Sequence, residues 1–223
     1  MSNPSWLLRL ILCCLVPLLL TACATPQTPY DYTAFRQSKP RSILVLPPLN
    51  SSPDVQATYS VLSTVTQPLA EAGYYVFPVA LVDQTFKENG LLNPGEMHQA
   101  PLEKIREIFG ADAALYITVT QYGSSYQFLS SSVIVTAKAR LLDTRNGQLL
   151  WEGAASASDS EGDSNSGGGL VGLLVKAIVK QVLNGVTGDH QSHRIARITS
   201  LRLLTTNQNG LLYGPRSPLY KPE

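Results

Sequence analysis

The sequence predicts an α/β fold: a mixed sheet of about five strands, a βαβ unit followed by an antiparallel meander, covered by helices. Three observations carry that expectation. Two strand-like runs, Ser42–Leu46 and Tyr74–Val82, flank a segment with helical spacing. Asn146-Gly147, a strong hairpin signal, lies between two further strand-like runs. The chain has 223 residues, 44% of them hydrophobic, which is enough for one sizeable core.

Ser42–Leu46 is apolar on both faces and stops at Pro47-Pro48, so it should lie inside the sheet. Val55, Tyr59, Leu62, Val65 and Leu69 recur at helical spacing within 54–72, and Gly73 suits a helix stop. Tyr74–Val82 reads as a second strand, interrupted by Pro78 and parallel to the first. The stretch 84–101 is loop-like, with Asn89-Gly90 and Asn93-Pro94-Gly95 as turn signals. Leu102–Phe109 reads as a short helix ended by Gly110. Ala113–Tyr122, Val133–Leu142 and Gln148–Ala155 read as the meander, with Asp143–Gly147 turning the last hairpin. Residues 156–169 are a polar low-complexity loop, helices are expected at 170–186 and 190–204, and the Gly- and Pro-rich 207–223 should be an irregular tail.

The amino terminus reads as an address. Arg9 is the one charged side chain before Asp31, and the apolar run Leu10–Leu20 follows it. Such a run spans about 16 Å as a helix, against a bilayer core of roughly 30 Å. That is the length of a signal-peptide core. It ends in Leu20-Thr21-Ala22-Cys23, which closely resembles the bacterial lipobox. Thr21 and Ala22 are small enough to enter a peptidase cleft, and the Cys23 thiol is the nucleophile that becomes a lipid thioether. Two or three acyl chains give stable anchoring at about 0.8 kcal/mol per buried CH₂. The organisation expected is a signal peptide over 1–22, a lipidated extended tether over 23–40, a globular domain over 41–206 and the tail over 207–223. Ala24 stands where Asp in similar proteins marks retention in the inner membrane, which favours the outer membrane.

Charge and composition exclude several functions. Cleavage at Cys23 leaves 16 basic and 16 acidic residues, which gives no electrostatic footprint for nucleic acid. The three cysteines are Cys13, Cys14 and Cys23, so a mature chain has neither a disulfide nor a thiolate metal site. Gly167–Gly172 matches Gly-x-Gly-x-x-Gly, with Asp189 about twenty residues on. An acidic loop precedes it where a dinucleotide site needs a strand, so a linker and helix start is the better reading. Asp159, Glu161 and Asp163 lack the EF-hand order and read as a solvated loop. His190 and His193 share a helix face without further ligands, His98 sits alone, and Ser124, Ser125 and Ser130–Ser132 lack a nucleophile elbow. No cofactor, metal or catalytic residue is expected; a carboxylate site needs a structure to locate.

Two features point to contact surfaces. The 170–186 helix is apolar almost all round, with Leu173, Val175, Ile178 and Val182 among its residues, and a polar stripe at Lys176, Lys180, Asn184 and Thr187. Such a helix is buried on more than one side, either within the domain or at an interface with an envelope protein or a second copy. Tyr122, Tyr126 and Phe128, around the turn between the third and fourth strands, either pack locally or form a binding tip.

Several segments resemble a bacterial lipoprotein family of unknown function that includes a neisserial surface-antigen candidate. They are Ile43–Pro48, Gly73–Val79, Phe109–Ala113, Leu150–Gly153 and Leu212–Arg216. The family's usual ending has His where this chain has Ser217. More distantly, the arrangement is similar to the periplasmic domain of curli-secretion-channel lipoproteins and to the TolB amino-terminal domain. The resemblance implies a lipid-anchored outer-membrane accessory facing the periplasm and acting with a channel-type partner in envelope transport, secretion or assembly. It brings no catalytic residues. The alternatives are a periplasmic small-ligand-binding module, using the sheet edge or the 84–101 loop, and a hydrolase with a carboxylate site.

Overall fold

A computed structural model describes residues 30–127, 130–162, 191–205 and 209–221. Its described elements are α1 (Thr33–Ser38), β1 (Ser42–Val45), β2 (Leu49–Asn50), α2 (Ala57–Leu62), α3 (Thr66–Glu71), β3 (Tyr75–Val76) and α4 (Val79–Glu88). They continue with α5 (Pro94–Met97), α6 (Leu102–Phe109), β4 (Ala113–Gln127), β5 (Ser130–Asp143), β6 (Leu149–Ser158), a 3₁₀ turn (Asp159–Gly162) and α7 (Gln191–Leu204).

The fold is the mixed α/β sheet expected from the sequence, with six strands in place of about five. Its order is β3-β1-β4-β5-β6, with β2 also paired to β4. β1 is interior, parallel to β3 on one side and to β4 on the other. Ile43, Leu44, Val45 and Leu46 are fully buried, as a two-faced apolar run demands. β4, β5 and β6 form the antiparallel meander. Asp143–Gly147 makes the last turn, with Gly147 at φ 73° and its N–H donated to the Asp143 carbonyl at 2.9 Å.

The additional strand continues the line of β1 along β4. Leu46 N–H bonds the Leu115 carbonyl and Ser51 N–H bonds that of Val119, while Pro47 and Pro48 between them have no N–H to donate. The ladder is interrupted there and resumes at Leu49.

β4 runs to Gln127 and β6 to Ser158, past the ends expected at Tyr122 and Ala155, so the start of the 156–169 stretch expected as loop is strand and a 3₁₀ turn. Three further departures have a local reason. The single helix over 54–72 is two, because the Pro68 ring in a continuous helix would clash with the Thr64 carbonyl. Thr64 Oγ1 also bonds back to the Val61 carbonyl at 2.7 Å in the break. Of the five residues that recur at helical spacing, Val55 and Tyr59 are exposed, while Leu62, Val65 and Leu69 are buried. The second strand ends at Val76, and Pro78 stands as N-cap of α4, whose buried Val82 and Phe86 are four residues apart. Half of 84–101, expected as loop, is therefore the end of α4 and the one-turn α5, capped by Asn93 Oδ1 accepting from Glu96 N–H. Finally, α1 forms within the stretch expected as an extended tether, because Phe35 supplies a buried anchor that is only 4% exposed.

Helices cover both faces. On one, Val82, Phe86, Met97 and Ile105 from α4, α5 and α6 pack on Leu44, Leu46 and Ala114. Across the sheet α7 lies on β5 and β6, and Thr199 Oγ1 donates to the Val135 carbonyl at 3.1 Å. The segment 209–221 is irregular and packed: Leu211 and Gly214 are buried.

Candidate functional site

The most chemically distinct surface is a groove between α1 and the C-terminal segment. α1 is held from two directions. Ser38 Oγ donates to Asp143 Oδ2 at 2.6 Å, and Arg145 Nη2 donates to the Ser38 carbonyl at 2.8 Å. Tyr32, preceding the helix, donates its hydroxyl to the Gly210 carbonyl at 2.5 Å. Burial alone would raise the Asp143 carboxyl, but the hydrogen bonds from Arg145 and Ser38 outweigh it and bring its pKa to about 2. α1 ends at Lys39, which adopts φ 48°, the left-handed region, and donates its N–H to the Phe35 carbonyl.

The opposite wall is tied down by the α3–β3 corner. Gly73 sits at φ 96°, and a Cβ there would meet Ser217 N at 2.4 Å and the Gly214 carbonyl oxygen at 2.8 Å. Gly214 N–H donates to the Ala72 carbonyl at 2.7 Å and Arg216 N–H to that of Gly73 at 3.1 Å. Tyr74 donates its hydroxyl to the Leu212 carbonyl at 2.5 Å, and burial raises its pKa, with the Tyr220 phenol adding to the effect. The Arg216 guanidinium lies 5.4 Å from the centre of the Tyr75 ring.

The groove holds about 360 Å³. Phe35 and Pro40 form its buried floor; Leu212, Tyr213 and Tyr220 are half-buried walls; Leu219 is 59% exposed at its mouth. Arg36, Lys39 and Lys221, all exposed, complete the lining among the described residues, and Arg36 interacts electrostatically with the Asp31 carboxylate.

A second cleft, of about 400 Å³, lies over α4, α5 and α6, with Phe86, Leu91, Ile105 and Ile108 among its walls. Its polar groups are engaged locally: Glu96 accepts from Leu92 N–H at 2.8 Å, and Lys104 pairs with Glu107 at 2.6 Å.

One arrangement resembles the start of a nucleophile site. Ser60 Oγ is 3.0 Å from His193 Nδ1 and accepts from the Tyr122 hydroxyl at 2.6 Å. Among the described residues no carboxylate bonds the His193 ring, so the orienting third member of a triad is not supplied. The contact ties α2, β4 and α7 together.

Cys23 and the four interface candidates Leu173, Val175, Ile178 and Val182 lie outside the described residues, as do the Gly167–Gly172 match, Asp163 and His190. Phe128 and the Tyr126 side chain do too; Tyr122 is buried. Asp159 and Glu161 serve the fold: Asp159 accepts from Val133 N–H at 3.0 Å, and Glu161 pairs with Arg202 at 2.6 Å. His98 Nε2 contacts the Pro47 carbonyl at 2.9 Å, and burial lowers its pKa. No group of three metal-ligating side chains occurs among the described residues. Sequence reasoning missed the groove, though Phe35-Arg36 and Tyr220-Lys221 are aromatic–basic pairs in segments otherwise read as featureless.

A family model described as "Putative lipoprotein GNA1162-like" matches residues 30–216. The chain belongs to this family. It is 52% identical over 201 residues to "Putative lipoprotein NMB1124/NMB1162" of Neisseria meningitidis serogroup B, covering 89% of this chain and 92% of that protein. The crystal structure of lipoprotein GNA1162 from Neisseria meningitidis is 54% identical, covers 66% of this chain and 100% of its own, and superposes with a TM-score of 0.52. The PelC dodecamer from Paraburkholderia phytofirmans, at 15% identity over 54% of this chain and 72% of that one, has a TM-score of 0.39, too low to carry an argument. Among the described residues no helix is long and apolar enough to cross a membrane.

Proposed function

We propose that this lipoprotein-family chain is a non-enzymatic accessory of the cell envelope. Lipid on Cys23 holds it to the outer membrane, and the α/β domain faces the periplasm. There it serves transport, secretion or assembly through an envelope protein or a second copy, with Leu173, Val175, Ile178 and Val182 as the candidate contact. The observation that carries the reading is Leu20-Thr21-Ala22-Cys23 followed by Ala24. Membership of a lipoprotein family supports the anchor. A binding role rather than a chemical one is supported by the engagement of buried Asp143 with Arg145 and Ser38.

Cys23→Ser is the test. The variant should lose incorporated fatty acid and leave the outer-membrane fraction on density-gradient separation of envelopes, while wild type retains both. A variant still carrying labelled lipid would sink the anchor, and a wild-type chain banding with inner membrane would sink the location.

A further inference from the structure

We propose that His98 is a pH-sensitive latch. Neutral, it pins the one-turn helix α5 to the Pro47-Pro48 break between β1 and β2; protonated, it releases residues 91–100 from the sheet. The release uncovers Met97 and widens the cleft over α4–α6. The device goes beyond the accessory role and rests on its periplasm-facing reading for exposure to the pH of the medium.

The latch stands on geometry. Where the prolines interrupt the ladder to β4, side chains meet their carbonyls instead. Thr58 Oγ1 of α2 donates to the Pro48 carbonyl at 3.1 Å, and His98 Nε2, at the end of α5, lies 2.9 Å from the Pro47 carbonyl. A carbonyl only accepts, so Nε2 carries the proton and donates it. The half-buried His98 ring also meets the Tyr116 ring of β4 edge-on, at 5.2 Å and 89°. The segment held this way has little else to hold it. α5 is a single turn, Pro94–Met97, and Met97 is its one buried residue. Gly90, at φ 86°, precedes the segment, and Pro101, the N-cap of α6, follows it. A segment with so few buried side chains belongs to the low end of local stability. β1 keeps its pairing with β3 and β4 when it lifts.

Charge sets the direction. Burial disfavours the imidazolium and lowers the pKa of His98 from the ordinary 6.5, and the bond to Pro47, which favours it, is the smaller effect. From β4 the titratable group facing the ring is the Tyr116 phenol, which burial pushes up and keeps neutral, while Arg140 on β5 pulls that phenol down. Pro47 and Pro48 bring no ionisable group. On α5 itself Glu96 accepts from Leu92 N–H, and across the cleft Lys104 is paired with Glu107. A released His98 returns to the ordinary pKa of 6.5, above the lowered value of the latched form. Opening therefore takes up a proton as pH falls below 6.5, and acid favours the open form.

The experiment is hydrogen exchange read by mass spectrometry on the full lipidated chain in phosphatidylcholine nanodiscs. It is run at about pH 7.5 and about pH 5.5, on either side of the ordinary histidine pKa, and each rate is divided by the intrinsic rate at that pH. Protection over residues 91–100 should fall at least about threefold at the lower pH, with β1 and β4 unchanged. His98→Gln keeps a donor for the Pro47 carbonyl but does not titrate, and should abolish the difference. His98→Phe keeps a ring against Tyr116 without the donor, and should lower protection over 91–100 at both pH values. Equal wild-type protection at the two pH values, or a difference that survives in His98→Gln, would overturn the latch. So would wild-type protection in His98→Phe, or an acid loss that spreads through β1 and β4. Exchange does not depend on which membrane holds the chain. The latch therefore fails on these rates, and the anchor fails on the fractionation of Cys23→Ser.

Discussion

The groove beside α1 and the cleft over α4–α6 are similar in volume and both largely apolar, yet their charges are arranged differently. In the cleft, Glu96 caps a turn through Leu92 N–H, and Lys104 is occupied three residues away by Glu107. In the groove, Arg36, Lys39 and Lys221 share one rim, and Arg36 interacts electrostatically with the Asp31 carboxylate. Apolar volume alone therefore does not single out a ligand site. The groove also depends on two chain ends meeting, whereas the cleft is made by consecutive helices.

The most damaging way to break that difference is Gly73→Ala. The new methyl would meet Ser217 N at 2.4 Å and the Gly214 carbonyl oxygen at 2.8 Å, at a residue whose φ is 96°. Backbone strain of about 1–3 kcal/mol and overpacking of similar size together predict a loss of about 3 kcal/mol or more in urea unfolding. If the tail simply lifts away, the cost is smaller but the groove opens, which proteolysis near Leu212 reports. A variant as stable and as protease-resistant as wild type would show that Gly73 and Gly214 are not in contact.

An intermediate effect comes from Asp143, which holds the other wall. Its carboxylate is 2% exposed and its partner Arg145 is 43% exposed. The folded pKa of about 2 is below the ordinary 3.8, so this group stabilises the fold fully above about pH 4. That contribution is lost as pH falls toward 2. A shift of this size corresponds to about 2 kcal/mol once the exposure of Arg145 is allowed for. Asp143→Asn should cost about that much at pH 7 and flatten the stability curve between pH 4 and pH 2. An unchanged acid limb in the variant would mean that other carboxylates control it.

These positions also show what was legible in the sequence and what was not. β1 was legible because Ile43–Leu46 is apolar on both faces, and the β5–β6 turn because Asn146-Gly147 has few other uses. α4 was misread because Val76–Val82 is β-branched and apolar, and only the register of Val82 with Phe86 marks the helix after Pro78. The break between α2 and α3 was available in Pro68. The groove was hidden for a different reason. Its walls come from α1 and from 212–221, more than 170 residues apart, each a polar or Pro-containing stretch with little periodicity of its own. Contacts such as Tyr32 with Gly210 and Tyr74 with Leu212 are long-range, and no local pattern announces them.

The smallest expected effect is the sharpest test of the comparison. Lys104 borders the cleft over α4–α6 and pairs with Glu107 at 2.6 Å, with the two side chains 64% and 66% exposed. An exposed pair three residues apart on one helix contributes little, because water and salt screen it and two long side chains must be held still. Lys104→Ala should therefore shift unfolding by less than about 0.5 kcal/mol. Urea unfolding of Lys104→Ala beside Gly73→Ala measures the contrast directly. If removing the exposed lysine cost as much as crowding the Gly73–Gly214 contact, the surface pair on one helix, and not the meeting of distant chain segments, would limit stability.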